Sequence, residues 1–223
     1  IRWIRRYEKV RQTGVIIQSK NTTLDGVVSY PEAGITGKLP GVIVCHPHPL
    51  FGGNMETPLV VALCRGLNQA GFVTLRFNFR SVAAGQKDPK DTTAEQEDLE
   101  AALKMLQNLQ NVDKKRLGLA GFSFGASVIL KGLKRYKQAS ALAFISPPLP
   151  ALDGSAVAKE KKPKLFVTGQ MDKLVPVEKL MEKVGPMAEP VEYQMILGAD
   201  HSWRGRENAL AERVVRFFVQ NMP

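Results

Sequence analysis

The stretch from Leu117 to Leu130 constrains this chain more than any other: Leu-Gly-Leu-Ala-Gly-Phe-Ser-Phe-Gly-Ala-Ser-Val-Ile-Leu. An apolar run leads straight into Ser123, which stands between Gly121 and Gly125. A second apolar run follows at once. The first run reads as a strand covered on both faces, the second as a buried helix. A strand that passes directly into a helix must turn within a residue or two. Glycines on either side leave room where side chains would crowd that turn. The serine at its apex is then held in a strained conformation. Its hydroxyl projects above the sheet, at the start of a helix whose free N–H groups face the same way.

The rest of the chain repeats the alternation. Strands are predicted at Val15–Ser19 and Gly26–Tyr30, joined by the turn-rich Lys20–Asp25 as an antiparallel hairpin. After a loop at Gly34–Gly41, strands follow at Val42–Cys45, Phe72–Phe77, Leu117–Gly121, Ala141–Ile145, Leu165–Thr168 and Val191–Ile196. Helices are predicted at Thr57–Ala70, from Thr93 onward, at Ser123–Leu133, at Val177–Val184 and at Arg206–Gln220. Leu59, Val60, Leu63 and Leu67 recur at helical spacing, as do Leu99, Ala102, Leu103 and Leu106, and Leu210, Val214 and Phe217. Thr93 with Gln96 reads as a capping box, and Ser81–Thr93 as a polar connection. The pattern is a mostly parallel, twisted sheet of about seven or eight strands with helices on both faces. No composition shift or repeat divides it. The chain reads as a single domain over 1–223, with residues 1–12 as a peripheral segment.

In open α/β sheets the reacting groups gather at the carboxyl ends of the strands. Ser123 lies there. So does Asp172, in Thr-Gly-Gln-Met-Asp after Leu165–Thr168, and so does His201, in Gly-Ala-Asp-His-Ser-Trp after Val191–Ile196. A hydroxyl becomes a good nucleophile only when a base takes its proton, and a carboxylate can orient that base. Asp200 is a rival acid, but it adjoins His201 and is better suited to capping the loop. His46 and His48 are rival bases, placed after an earlier strand. Their segment, Cys-His-Pro-His-Pro-Leu-Phe-Gly-Gly-Asn-Met at 45–55, is where a second backbone N–H for a developing oxyanion is expected. Pro47 and Pro49 have no N–H to offer. Leu50 is favoured, a register shift selects His48, and the Phe124 N–H is the first donor. His48, Phe51, Asn78 and Arg80 are candidates for the pocket lining.

Composition excludes several classes. The net charge is +10, but the densest basic runs, at 2–6, 114–116 and 159–164, carry no nucleic-acid module. No apolar run nears the roughly 20 residues of a membrane span. The segment Ile1–Tyr7 has no apolar leader core. Cys45 and Cys64 read as buried free thiols, which points to a cytoplasmic setting. Three histidines without metal-ligand spacing give no metal site, and no cofactor is expected.

Five segments together resemble the α/β-hydrolase superfamily: 45–55, Leu-Arg-Phe-Asn-Phe-Arg at 75–80, Gly-Phe-Ser-Phe-Gly-Ala at 121–126, Gly-Gln-Met-Asp at 169–172 and 198–203. More narrowly, the chain is similar to small bacterial hydrolases near the dienelactone hydrolases and prolyl-oligopeptidase-type catalytic domains. The resemblance implies an α/β-hydrolase fold and a triad of Ser123, Asp172 and His201 acting on a small-molecule acyl substrate. A dienelactone hydrolase would carry cysteine where Ser123 stands. Relatives with caps carry a large insertion where 146–163 is only a short connection, so no cap domain is expected. A carboxylic esterase is the leading reading. A peptidase or acyltransferase using the same triad, and a non-catalytic binding protein on this fold, stand beside it.

Overall fold

The computed structural model describes residues 11–31, 37–83 and 91–223. Its strands are β1 (Arg11–Ser19), β2 (Thr22–Tyr30), β3 (Leu39–Cys45), β4 (Val73–Phe77), β5 (Val112–Phe122), β6 (Ala139–Ile145), β7 (Lys164–Gly169) and β8 (Val191–Ile196). They form one eight-stranded sheet in the order β1-β2-β4-β3-β5-β6-β7-β8. The β1–β2 and β2–β4 pairs are antiparallel. All other pairs are parallel. The helices are α1 (Pro58–Gln69), α2 (Arg80–Ala83), α3 (Thr93–Asn108), α4 (Phe124–Gly132), α5 (Val177–Val184) and α6 (Glu207–Asn221).

Alternation along the parallel strands sorts their side chains into two cores. Val42 and Val44 face one side with Leu59, Leu63 and Leu67 of α1 and Leu210, Val214 and Phe217 of α6. Ile43 and Cys45 face the other with Leu99, Leu103 and Leu106 of α3, Val128 and Ile129 of α4, and Leu180 of α5. Most of these side chains are fully buried. Each contributes about 2 kcal/mol by leaving water, so both faces must be covered for the sheet to stand.

Several boundaries differ from the sequence reading. The hairpin turn is only Lys20-Asn21, with Lys20 at φ 46°, and Ser19 pairs with Thr22. Cross-strand pairing that buries Leu24 overrides the polar, turn-like composition of 22–25. β3 begins at Leu39, inside the predicted loop, and β5 begins at Val112, where Leu39 pairs with it. Residues 32–36 and 84–90 of the predicted loops, and 1–10 of the N-terminal segment, lie outside the described residues, while Arg11 and Gln12 already belong to β1. The capping box is not formed. Asp91 Oδ1 takes the Thr93 N–H at 3.0 Å, and Gln96 bonds the Thr92 hydroxyl instead.

β4 lies on one side of β3 and β5 on the other, so the chain reverses its direction of growth between β3 and β5. That reversal opens a crevice at the carboxyl ends of β3 and β5. The β6–β7 connection holds two single 3₁₀ turns, Leu149–Ala151 and Ala156–Lys159, and no cap domain covers the crevice.

Candidate active site

Ser123 sits between β5 and α4 at φ 51°, ψ −108°. The turn is held by backbone bonds: Ser123 N–H to Ile145 O at 2.9 Å, and Ser127 N–H to Ser123 O at 3.0 Å. The flanking glycines are dictated by contact. A Cβ on Gly121 would stand 2.6 Å from Ala126 N, and one on Gly125 would stand 2.6 Å from Cys45 O. The Phe124 N–H, first in α4, has no acceptor among the described residues. It points the positive end of the helix toward the serine.

β7 and β8 deliver the other two groups. His201 Nε2 lies 3.1 Å from Ser123 Oγ, and His201 Nδ1 lies 2.9 Å from Asp172 Oδ2. Asp172 Oδ1 accepts the Leu174 and Val175 N–H groups at 3.0 and 2.9 Å. Burial pushes the Asp172 carboxyl up. Hydrogen bonds from His201 and Ser146, with the Val175 N–H, outweigh it and leave the group below the usual carboxylate range. Asp172 is therefore an anion beneath the imidazole. The loops are tied together: Met171 N–H donates to Ala199 O at 2.8 Å, and Gly198 N–H to Gln170 Oε1 at 3.2 Å. Asp200 is exposed and accepts from Ser202 N at 2.9 Å and Ser202 Oγ at 2.6 Å, so it caps its own loop.

The loop after β3 departs from the sequence reading. His48, Pro49, Leu50 and Phe51 coil into a 3₁₀ turn. The Leu50 N–H donates to His48 Nδ1 at 3.2 Å and is not turned into the crevice. Leu50 itself is 41% exposed and is not among the residues lining the crevice. His48 and Phe51 do line it, and the His48 ring packs on Phe124 at 4.8 Å. Asn78 and Arg80 do not line it. Asn78 Oδ1 is taken up bracing the loop, accepting the Met55 N–H at 2.9 Å. Arg80 turns away to the buried Asp98, at 2.6 Å, because that carboxylate needs a cation.

His46 is fully buried, not a rival base. Its Nδ1–H donates to Pro47 O at 2.7 Å, and its Nε2 accepts the Phe79 N–H at 3.1 Å. Burial lowers its pKa to about 4 from an ordinary 6.5. Protonation below pH 6.5 therefore favours the unfolded chain. The stabilising contribution is whole above pH 6.5 and is lost as pH falls toward 4, by about 3 kcal/mol in all. Urea unfolding at pH 7.5 and pH 4.5 is expected to show a steeper loss in the parent than in His46→Gln. Equal slopes would exclude this account.

The crevice has a volume of about 880 Å³ and contains Ser123, Phe124, His48, Phe51 and His201. It continues along α4 past Ser127 to Lys131, with Leu174, Arg204 and Glu207 elsewhere on its wall. Among the described residues, no group of three His, Cys, Asp or Glu could hold a metal ion. No helix among them is long and apolar enough to cross a membrane. Cys45 and Cys64 are both free and buried. Burial pushes the Cys64 thiol up to about 12 and the Cys45 thiol higher still, so neither offers a thiolate.

Two residues at the site were missed by the sequence reading. Ser146 immediately follows β6, and the same strand-end rule that marked Asp172 could have marked it. Trp203, two residues beyond His201, is fully buried and donates its indole N–H to Ser146 Oγ at 3.2 Å.

A family model for the alpha/beta hydrolase domain matches residues 43–215, and this chain belongs to that family. Among solved structures it resembles an alpha-beta serine hydrolase homologue from Coxiella burnetii, at 34% identity and a TM-score of 0.79, covering 92% of this chain and 96% of that one. It also resembles an α/β serine hydrolase without a lid from Xanthomonas campestris, at 26% identity and a TM-score of 0.82, covering 95% of each. An uncharacterized protein of Rickettsia prowazekii is 28% identical over 205 residues, covering 85% of this chain and 86% of its own.

Proposed function

We propose that this protein is a serine hydrolase that cleaves carboxylic esters through an acyl-enzyme. The observation that carries the reading is the unbroken relay from Ser123 Oγ to His201 Nε2 at 3.1 Å and from His201 Nδ1 to Asp172 Oδ2 at 2.9 Å. Ser123 Oγ forms a bond to the substrate carbonyl carbon as its proton passes to His201 Nε2. Asp172 holds the Nδ1–H and stabilises the imidazolium. The proton on His201 Nε2 then passes to the leaving alkoxide as the ester C–O bond breaks. A water, deprotonated by His201, releases the acid and restores Ser123. The Phe124 N–H receives the oxyanion. Leu50 serves as second donor only if the 3₁₀ turn rearranges, taking its N–H from His48 Nδ1 into the crevice. One such donor is worth roughly 3 kcal/mol in the transition state.

A fluorophosphonate probe tests the reading. It is expected to add once, at Ser123, as located by peptide mass; failure to label the folded protein sinks the catalytic reading.

The crevice also favours a class of ester. Ser123, Ser127 and Lys131 recur every four residues, so Lys131 lies two turns, about 12 Å, from the nucleophile. It places a cation where the far end of an extended acyl chain arrives, partly offset by the nearby Asp91. Lys131→Glu is expected to raise KM for p-nitrophenyl monoesters of long dicarboxylic acids about fivefold and to leave the neutral valerate ester unchanged. Equal effects on both substrates would remove the preference.

A further inference from the structure

The crevice straddles the edge of the sheet. One arm follows α4, on the face that α3, α4 and α5 cover, toward Lys131. The other opens on the face that α1 and α6 cover. Its wall is Glu56, Thr57 and Pro58 where α1 begins, with Ser202, Arg204 and Glu207 from the segment that runs from His201 into α6. A hydrogen bond from Arg65 to Asn208, at 2.9 Å, ties those two helices together.

The path of the proton decides which part of an ester enters which arm. The base that takes the Ser123 proton returns it to the oxygen of the departing alcohol. That oxygen therefore meets His201 Nε2, which lies 3.1 Å from Ser123 Oγ. The chain leads from His201 directly into Ser202, Arg204 and Glu207, so the alcohol lies along their wall. The acyl part takes the arm along α4.

Most polar groups of this wall are already engaged. Thr57 Oγ1 accepts the Asn54 N–H at 3.2 Å, and Ser202 Oγ donates to Asp200 at 2.6 Å. Glu56 holds the buried Arg76 guanidinium at 3.1 Å. The side chains of Arg204 and Glu207 make no hydrogen bond or ion pair with any described residue. Arg204 attracts Asp200 through space without pairing with it, and Asp200 does not line the crevice. Arg204 is exposed and Glu207 half-buried, so both meet whatever enters. Together they offer a fork of N–H donors and a carboxylate's acceptors, with charges that cancel. An alkyl alcohol strips water from both charges and gives them no partner. A charged alcohol is attracted by one and repelled by the other. A neutral alcohol with several hydroxyls satisfies both, because a hydroxyl donates and accepts. Pro58, exposed on the same wall, suits its C–H groups.

We infer that the wall carrying Arg204 and Glu207 is the alcohol subsite, and that it selects esters of a neutral polyol. The inference rests on the reading of Ser123 as the nucleophile of an esterase.

Glyceryl 1-monobutyrate and n-propyl butyrate test it, since they share an acyl group and a carbon skeleton and differ only in two hydroxyls. Wild-type protein is expected to hydrolyse the glyceryl ester with a kcat/KM about tenfold higher. That ratio is expected to fall about fivefold in the double variant Arg204→Met, Glu207→Leu. In Glu207→Gln, which keeps an acceptor, it is expected to stay within about twofold of wild type. A wall that only supports the fold would not move the ratio. Binding is read without turnover in the Ser123→Ala protein. The ¹H–¹⁵N signal of Arg204 Nε–H, assigned by its loss in Arg204→Met, is expected to shift with the glyceryl ester and to stay in place with the propyl ester. If wild-type protein hydrolyses neither ester, the esterase reading fails, and the Arg204 signal still decides what the wall binds. Equal kcat/KM for the two esters in wild type, an unchanged ratio in the folded double variant, or an Arg204 signal indifferent to the glyceryl ester overturns the inference. A higher kcat/KM for butyrylcholine than for the glyceryl ester assigns the wall to a cation and overturns it as well.

Discussion

Ser123→Ala is expected to reduce hydrolysis of p-nitrophenyl acetate by roughly 10⁴- to 10⁶-fold in kcat, down to the rate that the surrounding donors support alone. The fold should survive. The bonds that hold the turn, Ser123 N–H to Ile145 O and Ser127 N–H to Ser123 O, are made by the backbone and do not require the hydroxyl. Alanine inherits the φ of 51° at about the same steric cost as serine. What disappears is the oxygen 3.1 Å from His201 Nε2, and no neighbouring group replaces it as a nucleophile. Both cysteines are buried thiols. Ser127, the next hydroxyl on the crevice wall, lies a turn further along α4. The measurement is steady-state turnover beside thermal unfolding on the same sample. More than about one part in a hundred of wild-type kcat, in a protein of unchanged stability, would place the nucleophile elsewhere.

Asp172→Asn is expected to cost about 10⁴-fold in kcat while Asp200→Asn changes it less than about twofold. The loss follows from which nitrogen of His201 carries the proton. Asparagine can still accept the Leu174 and Val175 N–H bonds through Oδ1, so the loop keeps its shape. Its Nδ2–H₂ then faces His201 Nδ1, where Oδ2 had been 2.9 Å away. Two donors cannot share that contact. The imidazole is driven to the tautomer with its proton on Nε2, and in that form it cannot accept the Ser123 proton. Asp200 bonds only its own loop, through Ser202, and is exposed to solvent. Measuring both variants on one substrate discriminates the two acids. Comparable losses would assign the role to neither.

The parts of this protein that were legible in its sequence are those whose determinants are local. The Ser123 turn needs an apolar strand, two small neighbours and an apolar helix, and all lie within Leu117–Leu130. That Asp172 and His201 lie beside Ser123 could be read because strand ends are visible as apolar runs and because the parallel sheet collects those ends on one edge. Where the answer depends on which way a side chain turns, the sequence was silent. Arg80 and Asn78 do follow β4 toward that edge, but Arg80 answers the buried charge of Asp98 and Asn78 answers the Met55 N–H. Leu50 was chosen for the N–H it has. The adjacent ring of His48 captures that N–H, through a contact two residues long that no periodicity displays. Ser146 and Trp203 are 57 positions apart and meet only because the segment after β8 reaches back past the end of β7 to the end of β6. The alternating, buried Leu24 likewise outweighed the turn-like residues around it.

The order of strands has a consequence for the protein while it is being made. Ser123 leaves the ribosome with the fifth strand, and His201 follows 78 residues later, after the eighth. Up to that moment the emerging polypeptide carries an alcohol no more reactive than any other serine. Under the proposed mechanism, the far edge of the sheet must dock to bring His201 to Ser123 before acyl transfer can begin, so a chain interrupted before β8 lacks the base.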